Sequence, residues 1–186
     1  GAGFIRTEEV LPMESLCITI NENEALKYLG YKGGEVPQDL IQQISWCQER
    51  IREIAAPRWV SRTFSLKRDP DGALFLEGTS FRLPGKDIQE LLADCQECIL
   101  MAATLGSQVE VFLRQAQITD MGKALVLDSC ASCAIENICD QVEESLFKDW
   151  KPKGLFFTDR FSPGYGYMPI SCQRDFCTRL DTQRRI

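Results

Sequence analysis

One long helix is the feature that most constrains how this chain can fold. The pattern predicts it from about Thr119 or Asp120 to about Asp149, with Asp120 as a suitable N-cap and Pro152 among the residues that end it. Its first half is dense in small residues, which let neighbouring helices approach closely; they are Ala124, Ser129, Ala131, Ser132 and Ala134. We therefore expect this helix to lie at the centre of the molecule.

Shorter elements precede and follow the long helix. Apolar periodicity and turn residues predict helices over 24–29, 37–56, 87–95, 108–117 and 170–180. Strands are predicted over 15–20, 58–66, 73–77, 79–83, 98–104 and 155–158. The turn Asp69-Pro70-Asp71-Gly72 predicts that the second and third strands pair as a hairpin. The apolar run Cys98–Thr104 predicts a buried central strand.

Together these elements predict an α+β fold, in which a mostly antiparallel sheet is packed by helices that include the long central one. A chain of 186 residues is long enough to bury a sizeable core. We expect a single domain over residues 1–186, with residues 1–36 as an N-terminal extension.

Composition excludes several classes of function. The chain has 21 basic and 27 acidic residues, a net charge of −6, so no basic stripe is available for a nucleic acid. Its longest apolar run, Cys98–Leu105, is far shorter than a membrane span, so we expect no membrane partner. There is no histidine, which excludes a Cys-His or Ser-His nucleophile pair and any imidazole ligand to a metal.

Nine cysteines are the least ordinary part of the composition. Cys95-x-x-Cys98 and Cys130-x-x-Cys133 together match the spacing of zinc and redox motifs. Both pairs fall in apolar or helical stretches, where cysteine packs as a small hydrophobic residue, so packing is the favoured interpretation and a metal or redox site the alternative. An odd count in a chain without a secretory signal predicts a reducing cytoplasm.

A ten-residue segment from Arg160 to Pro169 is the main candidate for a binding site. It reads Arg-Phe-Ser-Pro-Gly-Tyr-Gly-Tyr-Met-Pro, a composition that fits neither a helix nor a strand. Its prolines and glycines predict a stiff, open loop with bare backbone groups. Arg160 is a planar fork of donors suited to a carboxylate or phosphate. The alternative is an ordered surface turn with a structural salt bridge.

Glu136 and Asp140 are a second candidate, because four residues separate them and both carboxylates share one face of the long helix. Such a pair could receive an ammonium group or ribose hydroxyls. The alternative is that the pair lies on a solvent-facing edge of the helix.

The motif Arg160-x-x-x-Gly164-Tyr165, with Pro163 before the glycine and Pro169 after it, resembles the signature of the activation domain of cobalamin-dependent methionine synthase. The chain is most similar to free-standing bacterial versions of that domain, over most of its length from about residue 20. Supporting phrases lie at 26–31, 75–78, 103–106, 162–166 and 169–171, with a similar ending at 184–186. The motif is fairly specific, and the other phrases support it.

The resemblance implies that the chain binds S-adenosylmethionine. In the family the motif arginine holds the methionyl carboxylate, and the residues around the glycine cradle the adenosine part. These roles carry over to Arg160, Ser162, Gly164 and Tyr165. A helix glutamate that contacts the polar end of the ligand matches Glu136. An N-terminal aspartate that touches the ligand in the multidomain enzyme has no matching motif in this sequence.

The resemblance also implies a role in rescue. In the family, cob(I)alamin that has oxidised to cob(II)alamin is reduced by an electron donor such as flavodoxin and is remethylated from S-adenosylmethionine. The chain would contribute positioning rather than a catalytic acid or base, and the cobalamin would be carried by a partner domain or corrinoid protein. The alternatives are a docking or scaffold module for a corrinoid protein without ligand binding, and a cysteine-based metal or redox protein.

Overall fold

The structure is a computed structural model, and it describes residues 7–8, 16–164 and 166–182. It has an α+β architecture with an antiparallel sheet and six helices, as predicted. The helices are α1 Glu22–Tyr28, α2 Gln38–Ile54, α3 Lys86–Leu91, α4 Ser107–Thr119, α5 Met121–Trp150 and α6 Cys172–Leu180. The strands are β1 Thr7–Glu8, β2 Arg58–Arg68, β3 Leu74–Leu76 and β4 Glu97–Thr104.

The long helix α5 forms where the sequence predicts it. The Asp120 side chain caps its first turn by accepting a hydrogen bond from the Lys123 amide at 3.1 Å. At its other end a short 3-10 turn over Lys151–Lys153 leads to Gly154, which has a left-handed φ of 72°. In the described residues no helix, including α5, is both long enough and apolar enough to cross a membrane.

Strand β2 organises the sheet. It pairs antiparallel with β1 at Thr7↔Arg62 and with β3 at Leu66↔Leu76, and it also pairs with β4. The β2–β3 hairpin is confirmed, and its turn has a clear cause. The Asp69 carboxylate accepts hydrogen bonds from the amides of Asp71 at 3.1 Å and Ala73 at 3.0 Å, which fixes the turn by a side chain.

The chain divides into two compact units. The first contains 1–10, 59–102 and 147–186, and the second contains 11–58 and 103–146. The first unit encloses a cluster of buried apolar side chains from its strands, α3 and the C-terminal region; they are Val60, Phe64, Leu66, Leu74, Leu76, Phe81, Leu83, Ile88, Leu92, Leu100, Met168, Cys172 and Leu180. The single domain predicted over 1–186, with its extension at 1–36, stays a prediction.

The second unit is held by helices. Ile44, Cys47 and Ile51 of α2 are completely buried, as the spacing of four and three residues predicted. From α5 the buried side chains are mostly small or β-branched, among them Ala124, Cys130, Ala134, Ile138 and Val142. The small-residue half of α5 therefore belongs to a closely packed core.

The strand predicted over 15–20 does not form in the described residues 16–20. That segment has no regular secondary structure, and its backbone groups bond to side chains of α5 instead of to a strand. Gln141 accepts from the Cys17 amide at 3.1 Å and donates to the Cys17 carbonyl at 2.7 Å. Asn137 accepts from the Thr19 amide at 3.0 Å. Because these groups are already satisfied, a strand partner is not required.

The strand predicted over 155–158 is also wrong, since that segment is irregular. Its aromatic side chains pack on the end of α5: the Phe156 and Phe157 rings lie 6.5 Å and 5.5 Å from the Phe147 ring. Ring packing has replaced strand pairing here.

Two other strand predictions need adjustment. Residues 79–83 form only one bridge, Phe75↔Arg82, beside β3. The strand β4 forms, but it is not the buried central strand that its apolar run predicted. In β4 only Leu100 is fully buried, and β2 takes the central place because its eleven residues are long enough to pair with several strands.

Candidate functional site

The candidate site is built on the loop of residues 160–168, which precedes α6 and contains no helix or strand in its described residues. The Gly164 amide donates to the Met168 carbonyl at 2.9 Å, so the loop closes on itself. Gly164 and Gly166 have φ of 96° and 51°, a region that favours glycine. As predicted, the described residues of the loop form neither a helix nor a strand, and both glycines take positive φ angles.

Two apolar side chains attach the loop to the core of the first unit. Phe161, near the start, packs against the apolar cluster, and Met168, at the end, is itself a buried member of it. A loop held at both ends by burial keeps a defined shape without being part of a helix or sheet. The residues between these two points can then be presented to solvent.

The start of α3 holds the far side of the loop. The Asp87 carboxylate accepts a hydrogen bond from the Tyr167 amide at 3.0 Å. A Cβ on Gly166 would overlap that carboxylate, and one on Gly85 would lie 3.0 Å from the Tyr167 carbonyl group. The loop and the turn before α3 are thus in backbone-to-backbone contact, which only glycine allows.

The sequence predicts bare backbone groups in this loop, but it does not identify Asp87 as the residue that bonds to one of them. In the sequence, Asp87 is recognisable only as a residue at the start of a predicted helix, and it lies 80 positions before Tyr167. The one signal in the sequence is indirect: a loop with two glycines and exposed amides needs an acceptor from elsewhere in the chain.

The polar side of the loop is exposed. Arg160, Ser162 and Gly164 all lie on the surface of the first unit, so the structure brings these three predicted residues together in one accessible segment. Tyr165, the fourth, lies outside the described residues. A guanidinium and a hydroxyl in such a segment can bind a carboxylate and hydrogen-bonding groups of a small molecule.

Apolar side chains are exposed next to these polar groups. Tyr167 is 74% exposed and Ile170 is 63% exposed. Ile170 also contacts the loop, because its Cδ1 atom would lie 3.1 Å from a Cβ on Gly164. The surface around Gly164 therefore includes an exposed apolar side chain, which suits a ligand or partner with an apolar part.

Glu136, the remaining predicted site residue, lies on α5 in the second unit. Both Glu136 and Asp140 are exposed, as the four-residue spacing on one helix face requires. Exposure is compatible with either interpretation of this pair, since a ligand site and a solvent-facing edge must both be accessible. Its assignment to the ligand site stays a prediction.

The cysteines are the alternative candidate for a site, one that would bind a metal or carry out redox chemistry. All nine cysteines are described, and none forms a disulfide. Cys95 and Cys98 pack against the apolar cluster of the first unit, and Cys130 and Cys133 are buried in α5. In the part of the chain that the structure describes, no three Cys, Asp or Glu side chains are arranged to hold a metal ion.

The electrostatics of these thiols differ from one position to the next. Burial, with a smaller contribution from Cys95, raises the pKa of Cys98 to about 12. A hydrogen bond with Cys47, together with burial, raises the pKa of Cys130, and burial raises that of Cys133. Redox and metal-binding cysteines need a lowered pKa, because the thiolate is the reactive form. The raised pKa values favour the protonated form of Cys98, Cys130 and Cys133, whereas the hydrogen bond with Cys130 lowers the pKa of Cys47.

A groove in the second unit is a different feature. It encloses about 570 Å³, part of it open to solvent, between α2 and α4. Its lining includes Arg50 and Phe112, whose guanidinium and ring are 5.8 Å apart. Beside Phe112, the Lys123 ammonium lies 3.8 Å from the centre of the Trp46 ring. None of the predicted site residues that the structure describes lines this groove.

Comparison with family models and with curated proteins gave no match. The loop therefore has to be judged by its own chemistry. Phe161 and Met168 attach it to the apolar cluster at both ends, Arg160 and Ser162 are exposed residues, and its two glycines have positive φ. What it can do is bind and orient an anionic, partly apolar small molecule.

Proposed function

We propose that this chain binds S-adenosylmethionine through the 160–168 loop, with Arg160, Ser162, Gly164 and Tyr165 as its contacts. The observation that carries the proposal is the loop itself, which exposes Arg160 and Ser162 while Phe161 and Met168 fasten its ends to the core. A preorganised loop loses little conformational entropy when a ligand binds, so more of the contact energy appears as affinity.

Each contact has a physical role in the proposal. The Arg160 guanidinium pairs with the methionyl carboxylate through two parallel hydrogen bonds. Gly164, with its φ of 96°, lets the ligand approach the backbone closely. Ser162 adds a hydroxyl that can donate or accept a hydrogen bond, and the Tyr165 ring provides a flat surface for the adenine.

The wider function that we propose is reactivation of a corrinoid-dependent methyltransferase, with methionine synthase as the first candidate. The chain would adopt the activation-domain fold and work in the cytoplasm. It would present the methyl donor to cobalamin held by a partner domain or corrinoid protein, with a donor such as flavodoxin supplying the electron. The contribution of this chain is to bind and orient the ligand, which requires no acid or base.

Glu136 enters the proposal as a separate contact to the ammonium group of the ligand. A carboxylate and an ammonium form a charge-assisted hydrogen bond, and Glu136 is exposed on α5. It is tested by its own variant, Glu136→Gln, so that its failure leaves the assignment of the loop unaffected.

Calorimetric titration with S-adenosylmethionine tests the proposal, using wild-type protein, Arg160→Ala and Arg174→Ala. The control removes the same charge from an exposed position on α6 in the same unit. A hydrogen bond to a charged group contributes roughly 1.5–3 kcal/mol, so Arg160→Ala should weaken binding roughly 10- to 100-fold. Arg174→Ala should bind like wild type.

Two results would contradict the proposal. If Arg160→Ala binds as tightly as wild type, the site assignment is wrong. If wild-type protein binds no S-adenosylmethionine but still associates with a cobalamin-loaded protein, the docking module is the better interpretation.

A further inference from the structure

The loop that carries the proposed site is shaped by a carboxylate from outside it. Asp87, at the start of α3, accepts the hydrogen bond of the Tyr167 amide at 3.0 Å. The same carboxylate fills the space that a side chain at position 166 would need. Two consecutive residues of the loop, Gly166 and Tyr167, are therefore positioned against one side chain.

We propose that Asp87 is a positioning residue for ligand binding, which holds the Gly164–Met168 part of the loop in the shape that the ligand recognises. This inference rests on the proposed function of the loop. It adds a residue that the motif does not contain and that lies 80 positions away from its contact in the sequence.

The geometry explains why a side chain is needed at this place. The Met168 carbonyl is already bonded to the Gly164 amide at 2.9 Å, and the Met168 side chain is buried. Those contacts fix the two ends of the turn but not the Tyr167 peptide between them. The Asp87 carboxylate fixes that peptide, and it also lies against Gly166.

Asp87 is itself held in place. It lies in the first turn of α3, next to Ile88, which is buried in the apolar cluster of the first unit. Gly85, two residues before it, is in backbone contact with Tyr167. Because the carboxylate is attached to a fixed backbone, its hydrogen bond restricts the loop rather than following the loop as it moves.

The consequence is a change in affinity without a direct contact to the ligand. When the bond to the Tyr167 amide is lost, the loop occupies several shapes, and only a fraction of the molecules are ready to bind. The apparent dissociation constant rises by the reciprocal of that fraction. We expect a five- to tenfold weaker binding of S-adenosylmethionine in Asp87→Ala.

The experiment uses three variants of the chain. Asp87→Ala removes the acceptor, and Asp87→Asn keeps a carbonyl oxygen at the same place but removes the charge. Asp94→Ala is the matched control, because it removes an exposed aspartate from the turn after α3 in the same unit. Each variant is titrated with S-adenosylmethionine, and deuterium exchange of the Tyr167 amide is followed without ligand.

The expected result is that Asp87→Ala speeds exchange of the Tyr167 amide at least tenfold and weakens binding, while Asp87→Asn restores most of both. Thermal unfolding of all three variants should be the same. In that case a general loss of structure cannot explain a weaker binding that the side-chain amide in Asp87→Asn rescues. Asp94→Ala should match wild type in exchange and in affinity.

Three outcomes would overturn the inference. Faster exchange with unchanged affinity in Asp87→Ala shows that the ligand does not need the fixed loop. Equal losses in Asp87→Ala and Asp87→Asn show that the charge acts, not the hydrogen bond. If wild-type protein binds no S-adenosylmethionine, the proposed function fails, and unchanged exchange in Asp87→Ala would in addition show that Asp87 does not hold the loop.

Discussion

Two glycine-rich loops of this protein have the same backbone requirement and different surroundings. In the loop after α1, Gly30, Gly33 and Gly34 have φ of 90°, 116° and 102°, and a Cβ on any of them would meet no atom within 4 Å. In the loop before α6, Gly164 and Gly166 also have positive φ, but a Cβ would contact Ile170 or overlap Asp87.

The difference separates two reasons for a glycine. After α1, glycine is needed only because the backbone takes positive φ angles that other residues rarely adopt. Before α6, glycine is needed for the conformation and also for room, because another part of the chain occupies the space of a side chain. A loop whose glycines lie against another part of the chain is held in one shape, and such a loop is better suited to bind a ligand.

Gly166→Ala should have the largest effect of the three substitutions that test this comparison. A left-handed φ costs a non-glycine residue about 1 kcal/mol, and displacing Asp87 costs a hydrogen bond of about 1 kcal/mol. We expect a loss of about 2 kcal/mol in the free energy of unfolding by urea, which is the size of these two costs together. Binding of S-adenosylmethionine should weaken more than tenfold. In an Asp87→Ala background the same substitution should cost less, and an unchanged cost would show that the overlap is relieved without disturbing Asp87.

Gly164→Ala should have an intermediate effect. Its φ of 96° is unfavourable for alanine, but the atom in its way is the Cδ1 end of the flexible Ile170 side chain, which can move. We expect a loss of about 1.5 kcal/mol in the same urea measurement, of which backbone strain is the main part. If Gly164→Ala in an Ile170→Val background loses as much, strain alone is responsible, whereas a clear recovery shows that contact with Ile170 also matters.

Gly33→Ala should have the smallest effect. The added methyl group meets no neighbour, and the exposed loop can relax, so we expect a loss of about 1 kcal/mol or less from backbone strain. Affinity for S-adenosylmethionine should not change. The comparison breaks down if this substitution destabilises the protein as much as Gly166→Ala does.

Much of the fold could be predicted from local sequence signals. Asp120 as a cap, Gly154 after the end of α5 and the Asp69 turn all act within a few residues of their position. Apolar spacing identified the buried face of α2 for the same reason. Such signals are reliable because the interaction and its sequence pattern cover the same short stretch.

Two of the errors have a similar cause, which is that side chains of α5 contact segments for which the sequence predicted strand pairing. Gln141 and Asn137 took the place of a strand partner for residues 17–19, and Phe147 took the place of one for residues 156 and 157. The candidate loop follows the same rule. Its own residues were predicted, but Asp87 was not, because no spacing rule connects residues 80 positions apart.

The attachment of residues 17–19 to α5 has a consequence for how this protein can vary. Gln141 and Asn137 bond to the backbone amides and carbonyl of the segment, and every residue except proline offers the same amide. The identities of residues 17 and 19 are therefore loosely constrained, while positions 137 and 141 each require a side-chain amide. The side chains that this attachment requires are therefore on the helix. The side chains at positions 17 and 19 can change while the segment stays bonded to α5.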